Sequence, residues 1–327
     1  LKILSLMRIT KDYSEIAEIT GGEVLATPEY LQAQEVEDWG YIVHDSFVLP
    51  FYIKKKLFFR YLLFTLGDSG VTTEDRVSYL LNEVTGFIKK NLPVDFILTQ
   101  HVTALFSCCP QGSVNCFFGS YVVDLSLDED ALFANLHTKH RNVIKKAEKD
   151  GVRVSCGVEN RGVCEALIQS TLERQHIGLL SQGMLEGLSR VKHIDYWVAS
   201  FEGELQGAAI LLWSENRSAY YMFGGSAVKP HAGAMNLLHW SAMKLMKERG
   251  VKYYDFVGAR INPDEGSKYE GIQRFKSRFG GELKKGYLWK MPLNKFKYKL
   301  FCWLVAAKQG RNYCGDVIDQ ERKRGNY

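Results

Sequence analysis

The chain has 327 residues, 46% of them hydrophobic and 24% charged. That length suits two domains of roughly 150 residues better than one core, and the balance is that of a soluble globular protein. Its 42 basic and 37 acidic residues leave a net charge of +5, which does not by itself imply a nucleic-acid partner. The seven cysteines contain no CxxC pair and are odd in number. This argues for free thiols in a reducing cytoplasm, against a disulfide frame or a zinc knuckle. Residues 1–7 are too short for the apolar core of a signal peptide. The most lipid-like stretch, 300–307, has eight apolar residues where a membrane span needs roughly 20.

Residues 8–125 read as alternating strands and helices. The run 47–53 is apolar around Pro50, and 57–66 is a second strand-like run closed by Gly67, Asp68, Ser69 and Gly70. Helical spacing covers 73–91, with Pro93 just past its end. Residues 96–99 and 117–125 read as strands, and Cys108 and Cys109 sit in a short apolar run expected in the core. Ser126, with Glu129 three residues on, offers a capping box. The helix expected to follow runs over 131–150 and stops at Gly151. Leu132, Leu136, Val143, Ile144 and Ala147 mark its buried stripe, while Arg141, Lys145 and Lys149 share another face. Residues 137–149 hold five Lys or Arg against one Glu, so this segment either meets an anion or is a solvated basic face.

A second unit begins near Val152, with a short strand at 152–156, a helix over 163–174 and a helical segment at 181–190. Three strands follow at 196–201, 207–213 and 219–223. Glu202-Gly203-Glu204 and Glu215-Asn216-Arg217 join them as hairpins. Next come a loop (224–234), a long helix (235–249) stopped by Gly250, and a strand (251–256) that ends in Asp255 and Phe256. A polar loop, a cationic helix carrying Arg274-Phe275-Lys276-Ser277-Arg278, the Gly280-Gly281 turn and a last strand complete the unit. From Leu283 to Gly315 there are eight Lys or Arg and no Asp or Glu. As a helix, 291–308 is basic and apolar enough to lie on an anionic membrane, or it packs back onto the first domain.

This order, with these residues, resembles the N-acetyltransferase (GNAT) superfamily. More narrowly it resembles the Fem-type peptidyltransferases and their acetyltransferase-like relatives, which carry two GNAT-like domains in one chain. The likeness rests on two segments. One is 140–152, His-Arg-Asn-Val-Ile-Lys-Lys-Ala-Glu-Lys-Asp-Gly-Val. The other combines Tyr220-Tyr221-Met222-Phe223-Gly224-Gly225, Asp255-Phe256-Val257-Gly258 and Phe275-Lys276-Ser277-Arg278-Phe279-Gly280. It implies an α/β (α+β) fold of two tandem GNAT-like domains, each a mixed, mostly antiparallel sheet flanked by helices. The expected division is 1–150, 151–290 and a basic, apolar helix and tail over 291–327.

The implied activity is N-acyl or aminoacyl transfer to an amine of a peptidoglycan or polysaccharide precursor at the inner face of the membrane. Two other readings stand beside it: an acyl-CoA-dependent N-acetyltransferase of polysaccharide biosynthesis, and a catalytically silent binder of a phosphorylated lipid or glycan. No tightly bound cofactor is expected; the donor is aminoacyl-tRNA or acyl-CoA. The chain departs from the pattern twice. It has no long coiled-coil insertion of the kind some Fem-type enzymes use with tRNA. Its counterpart of the CoA loop, Lys229-Pro230-His231-Ala232-Gly233-Ala234, has Ala232 where the first Gly belongs, and a Cβ there would crowd a pyrophosphate.

The candidate residues follow from the chemistry. Acyl transfer to an amine must remove a proton from the amine and stabilise a tetrahedral oxyanion. The resemblance implies a Phe-Lys pair near the reacting carbonyl, here Phe275 and Lys276, with Lys276 as a positive donor or as an orienter of the donor group. The alternative is that Phe275 and Phe279 pack the helix while Lys276 and Arg278 face water. Asp255, at the end of an apolar strand, either orients the nucleophilic amine or caps the loop near Gly258. Arg141, Lys145, Tyr221, Arg274 and Arg278 are candidates for substrate binding, and Lys229, Gly233 and Ala234 for the CoA-type donor. His231 and His239 lack a third ligand, so no metal site is expected.

Overall fold

The computed structural model describes residues 6–68, 73–98, 102–310 and 315–327; Ser69, Gly70, Thr99 and Cys314 lie outside the described residues. In chain order the first elements are β1 (Arg8–Thr10), α1 (Ser14–Thr20), α2 (Pro28–Ala33), β2 (Asp38–His44), β3 (Phe47–Lys56), β4 (Phe59–Phe64), α3 (Glu74–Asn91), β5 (Phe96–Leu98) and β6 (Val114–Asp124). There follow α4 (Glu129–Asn135), α5 (Thr138–Asp150), β7 (Arg153–Cys156), α6 (Arg161–Arg174), α7 (Gln182–Leu188), β8 (Ile194–Phe201), β9 (Glu204–Trp213), β10 (Ser218–Ser226) and α8 (Ala234–Glu248). The chain closes with β11 (Tyr253–Asp255), β12 (Ala259–Arg260), α9 (Lys268–Ser277), β13 (Glu282–Pro292), α10 (Lys295–Gln309) and α11 (Val317–Lys323).

The chain forms two compact units. One holds the described residues up to Gly119 with Gly258–Pro263 and Lys285–Tyr327; the other holds Ser120–Val257 and Asp264–Lys284. This differs from the three consecutive segments expected, for two reasons of packing. Leu132 and Leu136 of the α4 region, with Ile144 and Ala147 of α5, bury against Trp240 and Met243 of α8, in the second core. Trp289 of β13 and Phe301 of α10 return to the cores of the first unit.

In the first unit the strand order is β1-β2-β3-β4-β5-β13, antiparallel except for the β4/β5 pair. Period-2 alternation sorts its side chains onto two faces. Leu49, Phe51 and Ile53 meet Val77, Leu80, Leu81, Val84 and Ile88 of α3 on one face. Val48, Tyr52, Phe59 and Leu63 lie on the other with Ile16 and Leu31.

In the second unit the order is β7-β8-β9-β10-β11, with the end of β6 beyond β11. The two expected hairpins form. Glu202 and Asn216 adopt positive φ at their turns, the geometry that suits the twist of adjoining strands. β10 and β11 are parallel, so α8 must cross between them. The single helix expected over 131–150 is two helices. Asp128, not Ser126, caps α4, and the backbone extends at Leu136 and His137 before α5. The break lets the His137 N–H donate to the Arg278 carbonyl at 2.9 Å, an exchange a continuous helix would forbid.

No helix of the described residues is long and apolar enough to cross a membrane. Cys108 and Cys109 are half-buried against the α3 face of the first unit.

Candidate active site

Parallel strands β10 and β11 pair only over Ser218–Tyr220 and Tyr253–Asp255. Beyond that register β10 bulges between Tyr221 and Phe223 and stays with β9, while the chain after β11 turns away. The gap opens into a cavity of about 550 Å³, large enough for a small acyl group and part of its carrier. Tyr221, Gly224, Gly225 and Ser226 line it from β10, and Phe256 and Val257 from the end of β11. Ile272, Phe275 and Lys276 of α9 close the remaining side.

The turn after β11 is strained. Val257 has φ 46, a left-handed conformation that a β-branched residue rarely adopts. Two side chains hold it there. The Val257 N–H donates to Asp255 Oδ1 at 2.7 Å, and the Val257 carbonyl accepts from Lys276 Nζ at 2.6 Å. Asp255 Oδ1 also accepts from the Ser120 hydroxyl. Burial raises the Asp255 pKa above the usual carboxylate range, with these hydrogen bonds and the Lys276 charge acting the other way. Asp255 therefore caps the loop, one of the two roles open to it from sequence, and does not line the cavity.

Lys276 is 9% exposed rather than facing water. Burial lowers its pKa to about 8, opposed by the Asp255 carboxylate. A lysine that is still largely cationic at neutral pH, mostly buried on a cavity wall, is suited to stabilising a developing oxyanion. Its position depends on Phe275. That ring lies 5.1 Å from Phe279, 5.7 Å from His239 and 5.4 Å from His140, so one side of α9 is locked in an aromatic cluster. His239 is fully buried, bonded through Nδ1 to the Tyr254 hydroxyl at 2.8 Å, and burial drives its pKa down to about 3. It is a neutral core residue behind Tyr221 and Phe275. Among the described residues no group of His, Cys, Asp and Glu is arranged to hold a metal.

Tyr221 lies on the cavity wall, its ring edge-on to His239 at 4.5 Å, and burial pushes its pKa up to about 12. It stays protonated, as a donor. The other substrate-binding candidates lie elsewhere. Arg141 spends its guanidinium on the carbonyls of Ala134 (2.7 Å) and Leu136, bracing the α4/α5 break. Lys145 Nζ stands 5.4 Å from the centre of the Phe133 ring. Arg274 pairs with Glu270 at 2.6 Å on the outer face of α9. Arg278 caps the C-terminus of α9 and supplies the carbonyl that His137 uses. None of these four lines the cavity.

Lys229, Gly233 and Ala234 do not line it either. Lys229 is exposed and Ala234 is buried. Gly233, at φ 89, sits so close to α5 that a Cβ there would lie 2.3 Å from the Val143 carbonyl. His231 is fixed to Asp150 at 3.0 Å. The start of α8 is thus packed against α5.

Thr171, Gln175, Met235 and Lys268 were not singled out in sequence, yet all four line the cavity. Thr171 is spatially adjacent to the far end of β10 although 55 residues away in the chain. Its Oγ1 accepts the Ser226 N–H at 3.0 Å and lies within hydrogen-bonding distance of the Ser226 and Leu167 carbonyls. A strand end that has lost its parallel partner is completed by a helix side chain. Thr171→Val keeps the shape and strands the Ser226 N–H, so a loss of about 1–3 kcal/mol is expected in chemical denaturation. A loss below about 0.5 kcal/mol would mean that solvent satisfies Ser226 instead. No periodic pattern marks Thr171; a threonine on the inner face of α6 is the sole clue. Lys268 Nζ donates to Gln175 Oε1 at 2.9 Å, tying α9 to the end of α6 across the lining.

Residues 188–305 match the model of the FemAB family. A 113-residue stretch, 33% of this chain, is 30% identical to a lipid II:glycine glycyltransferase of Staphylococcus epidermidis. It spans 27% of that relative's length. Among solved structures, FemX aligns with a TM-score of 0.68 over 90% of this chain and 99% of its own, at 14% identity. The C-terminal domain of a putative lysylphosphatidylglycerol synthetase from Agrobacterium fabrum aligns at 0.55 over 91% and 97%, also at 14% identity. The matched segment begins at the end of α7 and carries β8 to β13, with both splayed strands and the Phe275-Lys276 pair; the lining residues Thr171, Leu172 and Gln175 precede it. Over residues 188–305 the chain is thus similar to the FemAB family, with a more distant likeness to the lipid II:glycine glycyltransferases, and its fold is that of FemX.

Proposed function

We propose that this protein is an aminoacyltransferase that moves an aminoacyl group from aminoacyl-tRNA to an amine of a lipid-linked cell-envelope precursor at the cytoplasmic face of the membrane. The observation that carries this reading is Lys276, a buried lysine on the wall of a cavity opened by two diverging parallel strands. The acceptor amine, once deprotonated, attacks the ester carbonyl. A C–N bond forms, the ester C–O bond breaks, and the amine's proton leaves with the released ribose hydroxyl. Lys276 steadies the oxyanion between these events, Tyr221 offers a hydroxyl to the same space, and Asp255 positions Lys276 by holding the Val257 turn. The named activity of the staphylococcal relative supports an aminoacyl donor and a lipid-linked acceptor.

The runner-up, an acyl-CoA-dependent N-acetyltransferase, is disfavoured by one observation. The start of α8, where a pyrophosphate would seek free backbone amides, is pressed onto α5 through Gly233. The deciding experiment offers both donors to the full chain with an undecaprenyl-linked acceptor. Transfer of labelled amino acid from charged tRNA, with no heat of binding for acetyl-CoA, is the expected result. Acetyl transfer from acetyl-CoA overturns it in favour of the runner-up. Acceptor binding with no transfer from either donor leaves a catalytically silent binder.

A further inference from the structure

The outward face of α10 plays no part in the cavity chemistry. This helix turns Tyr298, Leu300, Phe301 and Leu304 onto the core of the first unit. Phe296 and Trp303, seven residues apart and so on one stripe, remain 77% and 65% exposed. Lys295, Lys299 and Lys308 are exposed beside them. Lys297 is committed to Asp95 at 2.8 Å.

A second exposed apolar feature belongs to the same unit. The β3–β4 hairpin ends in Leu57, 69% exposed at φ 56, and Phe58, 53% exposed, just after the exposed Lys55 and Lys56. Gly or Asn is the usual occupant of such a left-handed turn position, so an exposed leucine there serves no folding need. The two features share an anchor. The Phe58 and Phe59 rings are 4.2 Å apart, and the Phe59 ring lies 5.4 Å from that of Phe301 on α10.

We infer that the β3–β4 hairpin tip and the outward face of α10 together dock this protein on an anionic lipid bilayer. Leu57, Phe58, Phe296 and Trp303 enter the boundary between headgroups and acyl chains, while the lysines lay their stems along that boundary and keep their ammonium groups at the phosphates. Charge selects this occupant. The five exposed lysines named above attract anionic lipid, each by about fivefold in affinity. The same charge makes a second copy of this surface a poor partner. The inference rests on the first unit alone and stands or falls separately from the transferase reading, whose site is in the second.

Co-sedimentation of the full chain with vesicles tests it. Binding to mixed phosphatidylglycerol and phosphatidylcholine vesicles is expected, weakened by salt, with little binding to phosphatidylcholine alone. The pairs Leu57→Ser with Phe58→Ser and Phe296→Ser with Trp303→Ser are each expected to weaken it about tenfold or more. Because the four side chains are exposed, the melting temperature should stay put, and binding of donors to the cavity should be unaffected. No binding, equal binding by all variants, or equal binding to neutral vesicles overturns the proposal. So does a vesicle-free dimer that the Trp303→Ser pair dissolves, since the face would then belong to a second copy.

Discussion

Lys276→Met is expected to lower kcat about 10²–10³-fold, the effect of removing one oxyanion donor, and to lower stability by about 1–3 kcal/mol, since the Val257 carbonyl loses its donor. Methionine fills a similar volume, so what is lost is that hydrogen bond and the charge facing Asp255 rather than packing. The pH dependence separates the roles open to this lysine. If Lys276 acts as a cation, turnover falls as pH rises through about 8; if it acted as a base, turnover would rise there. Lys276→Arg, charged throughout this range, is expected to retain part of the activity and lose the alkaline limb. Stability carries a matching signature. The folded pKa of about 8 lies below the ordinary 10.5, so between these values the unfolded chain holds more protons and stability rises with pH. The native chain should gain on the order of 3 kcal/mol relative to the methionine variant across that window. Turnover unchanged by Lys276→Met removes this lysine from the mechanism.

The second large effect is expected in stability alone. Glu321 of α11 is fully buried, paired with Arg260 at 2.5 Å and Arg324 at 3.3 Å, and its Oε2 accepts from Asn326 Nδ2 at 2.8 Å. Nearby, Lys290 of β13, 3% exposed, reaches Asp316 at 2.8 Å and Asp319 at 2.6 Å. These bonds clasp the C-terminal helix to the first unit. Glu321→Ala leaves two arginines without their shared carboxylate, which costs roughly 3–5 kcal/mol. The melting temperature should drop by about 10 °C. If the cost is that of stranded charge, adding Arg260→Leu should return part of it. A loss under about 1 kcal/mol would show that solvent replaces the carboxylate and that no clasp exists.

The strands and helices of the second unit were legible because their signals are local. Alternation with Glu202-Gly203 and Asn216 turns marks β8, β9 and β10, and helical spacing stopped by Gly250 marks α8. The Asp255 to Lys276 segment stood out in the sequence because a carboxylate ends a strand and a lysine follows an aromatic residue, and the structure brings both side chains to the Val257 turn. The basic residues were not. Charge and helical face alone favoured Arg141 and Lys145, but the α4/α5 break gives Arg141 two carbonyls to satisfy, and nothing in 131–150 announces that break. Ser126 and Asp128 both offer a cap, and only packing selects Asp128.

The sequence alone determined the element types, the likeness to Fem-type proteins and the Phe275-Lys276 pair, because period, turn chemistry and motif spacing act over a few residues. Tertiary structure decided which lysines are buried, where the units divide and why Val257 is strained. Those outcomes depend on groups far apart in the chain: Ser120 and Asp255, Val257 and Lys276, Thr171 and Ser226. The energy that unites them comes from desolvation and long-range hydrogen bonding, which no local pattern encodes.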